Sequence, residues 1–150
     1  MKKFRFSLET VLDYKQQALD ALQVEHGAIL ARVRAQEAEI EEMEAAYRQL
    51  NGEFARRKAE GITIVDAMKY DQYLRARERE LEEAYQRLEE LKQQAEKKRQ
   101  EVVEAKKETS SIEKLREKKL GEYNKAVEKS EELFIEEFVS SARARAAANA

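Results

Sequence analysis

The sequence predicts an all-α protein, a single long antiparallel two-helix coiled-coil hairpin with unequal arms, and three observations carry that expectation. Turn chemistry is scarce: the 150 residues include no proline and only four glycines, while 40% of the side chains are charged, a composition that favours long solvated helices. An apolar stripe recurs at alternating steps of four and three residues from Leu8 onward. That stripe loses its phase between residues 55 and 66, and a second stripe begins behind it.

The first arm is read from its stripe: Leu8, Leu12, Lys15, Leu19, Leu22, His26, Ile29, Val33, Gln36, Ile40, Met43, Tyr47, Leu50 and Phe54, of which eleven of the fourteen are apolar. A repeat of 3.5 residues held this long keeps one face of a helix against a partner helix. Helix 1 is therefore expected over about 4–58 and a tip over about 59–63. In the tip, Gly61 can adopt a left-handed helix-ending conformation, and "TIVD" (Thr63 to Asp66) reads as an N-cap followed by an acid at the third helical position.

The second arm, helix 2 over about 64–140, carries Tyr70, Leu74, Arg77, Leu81, Ala84, Leu88, Leu91, Ala95, Lys98, Val102, Ala105, Thr109 and Ile112. Leucine alternates with alanine, so bulky residues of one helix can meet small ones of the other. Folding the chain so that paired numbers sum to about 124 sets Lys15 opposite Thr109, His26 opposite Lys98 and Tyr47 opposite Arg77, which brings most polar interruptions of the two stripes together. An antiparallel hairpin selects such coincidence, because a lone buried charge is costly whereas a polar layer can fix register. Gln36, facing Leu88, is the exception.

At 1.5 Å per residue, helix 1 would span on the order of 80 Å and helix 2 on the order of 115 Å. The same register puts Phe4 near Leu120. "LGEYNKAVEKSEELFIEEFV" then overhangs its partner, with Tyr123, Val127, Leu133, Phe134, Ile135, Phe138 and Val139 uncovered; that much bare apolar surface calls for a partner, or else for dimerisation of the overhang or its folding back on the chain's own N-terminus. Residues 141–150 are expected to fray.

Chemistry-bearing constellations are missing. His26 is the single histidine and there is no cysteine, so His or thiolate metal clusters and a Ser-His-Asp arrangement lack their parts. On the buried stripe opposite a lysine, His26 reads as a member of a structural polar layer. Acidic runs such as "EAEIEEMEA" and "ERELEEAYQRLEE" fall on solvated helix faces, and no glycine-rich phosphate loop of the GxxxxGK[ST] or GxGxxG type occurs. The clusters Arg56, Arg57, Lys58 and Lys97, Lys98, Arg99 sit among glutamates as solvated flanks. With 29 basic against 31 acidic residues, the chain lacks the single-sign field of a nucleic-acid binder. No stretch approaches the roughly 20 apolar residues of a membrane span. The expectation is a non-enzymatic cytoplasmic protein without metal or cofactor, without a nucleic-acid partner and without direct membrane insertion.

Four segments in order, "FRFSLETVLDYK" (Phe4 to Lys15), "GITIVDAMKYDQYL" behind the tip, "EKLREKKLGEYNKA" (Glu113 to Ala126) and "IEEFV" near the end, resemble the FliJ family of flagellar protein export. The resemblance implies a coiled coil similar to the central stalk of rotary ATPases. It also implies insertion into the hexameric export ATPase, promotion of its assembly and activity, contact with the cytoplasmic domain of the export gate, and handling of export chaperones. Such a protein would associate peripherally with the cell membrane at the flagellar base. Carried onto this chain, the resemblance implies a gate-facing surface at Gln36, Ile40, Met43, Tyr47, Tyr73 and Arg77. The ATPase-facing end would comprise Arg116, Lys118, Lys119, Tyr123, Phe134 and Phe138. Ile40 and Met43 belong to the internal stripe, and Arg77 stands where relatives tend to carry an apolar residue. A general coiled-coil scaffold or holdase chaperone is the alternative reading of a hairpin with an adhesive overhang.

Overall fold

The computed structural model describes residues 2–150. Two helices, α1 (Glu9–Glu60) and α2 (Ile64–Ala148), pack against each other as a helical hairpin, with no strand among the described residues. Burial follows the repeat: every position of the first stripe is buried or half-buried, and on the second only Arg77 is exposed. The chain divides into two compact units, one formed by Met1–Leu19 with Glu104–Ala150, the other by Asp20–Val103.

The Asp20–Val103 unit contains the turn. Gly61 ends α1 with a φ of 107°, a conformation open to glycine at little cost, and its N–H donates to the Arg57 carbonyl at 3.0 Å, which satisfies one of the terminal carbonyls of the helix. Two residues later Thr63 caps α2. Its Oγ1 accepts from the Asp66 N–H at 3.2 Å, and Asp66 places negative charge in the first turn of α2, where the helix dipole favours it. Phe54 and Tyr70 close the space just inside the turn, ring edge to ring face at 5.1 Å, and the Tyr70 hydroxyl donates to Glu53.

The core of this unit is Val33, Ile40, Ala84, Leu88 and Ala95, flanked by Ile29, Met43, Leu81 and Leu91. Ala84 is wholly buried. Its small side chain leaves the α2 backbone open, and Gln36 reaches it, donating from Nε2 to the Ala84 carbonyl at 3.0 Å. A helical carbonyl has a second lone pair free for such a bond. The unmatched glutamine of the first stripe is thus satisfied by backbone. Lys98 does not rely on His26, which is half-buried: its ammonium bonds Glu25 at 2.9 Å and Glu101 at 2.8 Å.

In the unit formed by Met1–Leu19 and Glu104–Ala150, α1 begins at Glu9, later than the expected start near Phe4. Phe4 and Phe6 are half-buried while Lys3 and Arg5 are exposed, the alternation of extended chain, whose side chains point to opposite faces in turn, and a turn at Ser7 and Leu8, closed by the Glu9 N–H on the Phe6 carbonyl at 3.2 Å, leads into α1. Extended chain advances about 3.3 Å per residue against 1.5 Å in a helix, so the segment reaches farther along α2 than a helix would. Phe4 consequently packs on Tyr123, ring centroids 5.6 Å apart, and the Tyr123 hydroxyl donates to the Lys2 carbonyl. The uncovered stretch is shorter than the register implied: Tyr123 and Val127 are half-buried, and every residue from Glu128 onward is exposed. Lys15 to Glu108 and Arg116 to Glu9, each at 2.9 Å, tie the two helices here, both pairs close to the folding sum of about 124 read from the sequence. Toward the C-terminus α2 continues to Ala148, consistent with the high helix propensity of its alanines and arginines.

Candidate functional site

Two surfaces hold the residues singled out from the sequence, and the fold sorts each set into accessible and internal members. In the Asp20–Val103 unit, Gln36 and Ile40 face inward, at 9% and 4% exposure. Met43 is half-buried against the core, and Arg77 is exposed with its guanidinium on Glu80 at 3.0 Å, one turn along α2. These two line a shallow groove with Glu39, Glu42, Ala46, Glu80 and Leu81. Tyr73 stands free on α2 at 62% exposure.

Tyr47 takes a partner that the pairing rule missed by one residue. Its hydroxyl donates to Glu78 Oε1 at 2.8 Å, and Arg75 donates to the other carboxylate oxygen at 3.0 Å. The Tyr47 bond, then the Arg75 bond, hold the Glu78 carboxyl below the usual carboxylate range, and the bond to Glu78 raises the Tyr47 phenol. Arg77 points outward because Glu78 occupies the place opposite Tyr47. Glu96, through Arg99, and Glu101, through Lys98, are likewise lowered.

A carboxyl with a folded value below its unfolded value of about 4.3 adds stability at pH above the unfolded value and loses it as pH falls through the folded value. Thermal melting should therefore drop between about pH 5 and pH 3 as these three groups protonate. Glu78→Gln should melt slightly lower than the parent at neutral pH and lose less on acidification, a small difference because the carboxylate is partly solvated. An acid limb unchanged by the substitution would remove Glu78 from this role.

In the other unit, Arg116 and Tyr123 are occupied internally. The Arg116 guanidinium, paired with Glu9, lies 5.7 Å from the Phe4 ring centroid, so Arg116 and Tyr123 hold the N-terminal segment between them. Lys118 is exposed, and Lys119 approaches Glu122 at 3.6 Å. Beside them a cleft runs between the N-terminal segment and α2, lined by residues including Lys3, Phe4, Arg5, Lys119 and Tyr123. The sequence reading did not single out its N-terminal half; the alternation in "KFRFSL" was the available signal. Beyond Val127 the aromatic run stands bare: Phe134 is 70% and Phe138 67% exposed, with Leu133, Ile135 and Val139 also exposed.

Among the described residues no group of His, Cys, Asp or Glu side chains could hold a metal ion, and no helix is long and apolar enough to cross a membrane. A family model described as "Flagellar FliJ protein" matches residues 4–148. The chain belongs to the FliJ family. The match takes in α1, the turn, all of α2 and the N-terminal segment from Phe4, and the family is an accessory component of flagellar export. No curated protein and no solved structure matches the chain.

Proposed function

We propose that this FliJ-family chain is the stalk of a flagellar type III export apparatus, binding the hexameric export ATPase, promoting its assembly and activity, and linking it to the export gate and export chaperones. The observation that carries this reading is the run Leu133, Phe134, Ile135, Phe138 and Val139, exposed on a helix that continues past its partner. A large side chain moving from water into a protein pocket contributes about 1.5–3 kcal/mol before association costs, so a few of these suffice to anchor the end of α2 in a ring. Phe134 and Phe138 are the anchors in this reading, with Lys118 and Lys119 at the mouth; Arg116 and Tyr123 act by holding the N-terminal segment. The gate-facing surface is carried by Tyr73, Arg77, Met43 and Tyr47, with Gln36 and Ile40 supporting it from within. The protein works in the cytoplasm, peripherally associated with the membrane at the flagellar base through its partners.

Titration into purified export ATPase tests the proposal. Stimulation of ATP hydrolysis should saturate near one chain per six ATPase subunits, the stoichiometry of a stalk in a hexamer. A holdase or scaffold would leave hydrolysis unchanged at every ratio while suppressing aggregation of an unrelated unfolded protein, and that result would replace the stalk reading.

A further inference from the structure

The overhang has a charge order that its apolar run alone does not explain. Glu131 lies seven residues before Phe138 and Arg145 seven after it; Phe134 lies four before and Ala142 four after. At about 100° per residue these five side chains share one face of α2, with Glu131 and Arg145 at its two ends. Two shallow depressions run along that face, one lined by Ser130, Glu131, Phe134 and Ile135, the other by Phe134, Glu137, Phe138, Ser141, Ala142 and Arg145. Phe134, Glu137, Phe138 and Ser141 have the i, i+3, i+4, i+7 spacing of a hole that receives a knob from a facing helix.

An isologous two-fold contact requires each group to meet its complement at the same distance on the other side of the axis. We propose that the overhang docks on the overhang of a second copy of this chain, antiparallel, with the axis at Phe138. In that register Glu131 of each copy meets Arg145 of the other, the bulk of Phe134 fits over Ala142, and Phe138 enters the hole of its mate, while the two Glu137 carboxylates flank the axis as a like-charge contact that keeps the pairing weak. The ionic partners are free within the chain, since the ion pairs among the described residues end with Lys119 and Glu122. A helix segment of this length buries about 1,000 Å² in such a pair, the lower bound for a specific interface, so the dimer is weak and reversible. It also covers Phe134 and Phe138, which makes it an off-ring state that excludes engagement of those side chains elsewhere. The proposal does not depend on the ATPase reading, and the chain alone tests it.

Sedimentation velocity of the full chain over increasing concentration should show a monomer passing to a dimer, with half-association at about 10–100 µM. Glu131→Arg and Arg145→Glu should each weaken the dimer at least about tenfold, because each substitution turns two attractions into two repulsions, and the double variant should recover to within about threefold of the parent. Ala142→Cys should not form a disulfide with itself, since antiparallel copies hold residue 142 opposite residue 134, two turns away; Phe138→Cys should. A monomer up to about 500 µM, a double variant as weak as the single ones, self-crosslinking at residue 142, or mass growing past the dimer as overhangs enter N-terminal clefts would each overturn the proposal.

Discussion

Removal of residues 129–150 is expected to abolish stimulation of the export ATPase and to lower affinity for it by at least about a hundredfold, the equivalent of losing two buried aromatic anchors at about 1.5–3 kcal/mol each. The cut leaves Tyr123 on Phe4, Arg116 on Glu9 and Val127 in place, so the paired part of the hairpin keeps its contacts. Melting temperature should stay within a few degrees of the parent, because the deleted residues are exposed and contribute no packing. Binding to the gate's cytoplasmic domain should persist. Activity assays on the truncated chain, with circular dichroism as the control for folding, check both halves of the expectation; full stimulation by the truncated chain would refute the assignment of the overhang.

Ile40→Ala is expected to give the largest loss of stability, about 2–4 kcal/mol, as a cavity opens beside Ala84 and Leu88 where the helices cannot close in freely. Ile40 was also a candidate gate contact. At 4% exposure it has almost no surface to offer a partner, so weakened gate binding by this variant should accompany a lower denaturation midpoint. Tyr73→Ala should weaken gate binding with melting unchanged, since Tyr73 is exposed. Urea denaturation alongside gate-binding titrations separates the two. An Ile40→Ala chain of parental stability that failed to bind the gate would make Ile40 a direct contact.

Much of the hairpin was legible because one physical rule governs it. Side chains on a 3.5-residue repeat must be shielded, and every position of the first stripe from Leu8 to Phe54 is. The change of phase at the turn was legible for a similarly local reason: Gly61 and Thr63 do at the turn what their chemistry favours. Three features escaped. The extended N-terminal segment follows a period of two across only a few residues, too short a run to compete with the helical period that starts at Leu8. Glu78 replaced Arg77 opposite Tyr47 because a phenol at the edge of the stripe donates to the nearest carboxylate, and a sum of residue numbers cannot resolve neighbours one position apart. Gln36 looked unpaired because its partner is the backbone of Ala84, and a backbone carbonyl leaves no trace in side-chain patterning.

The candidate surfaces were legible in proportion to their exposure. Phe134 and Phe138 stood out because nothing in the first arm extends to them. Among the gate candidates, Gln36 and Ile40 are buried between the helices and have little surface left for a third body, whereas Met43 and Tyr47 are half-buried. Tyr73 and Arg77 retain accessible side chains.

The most direct measurement for a stalk with separate contact surfaces is a crossed titration. Phe134→Ala/Phe138→Ala and Tyr73→Ala/Arg77→Ala chains are each titrated against purified export ATPase and against the gate's cytoplasmic domain, with helicity and melting verified beforehand. The first chain should lose ATPase stimulation and keep gate binding, and the second should lose gate binding and keep ATPase stimulation. Equal loss of both activities in both chains, with helicity and melting unchanged, would contradict the division of the stalk into two contact surfaces.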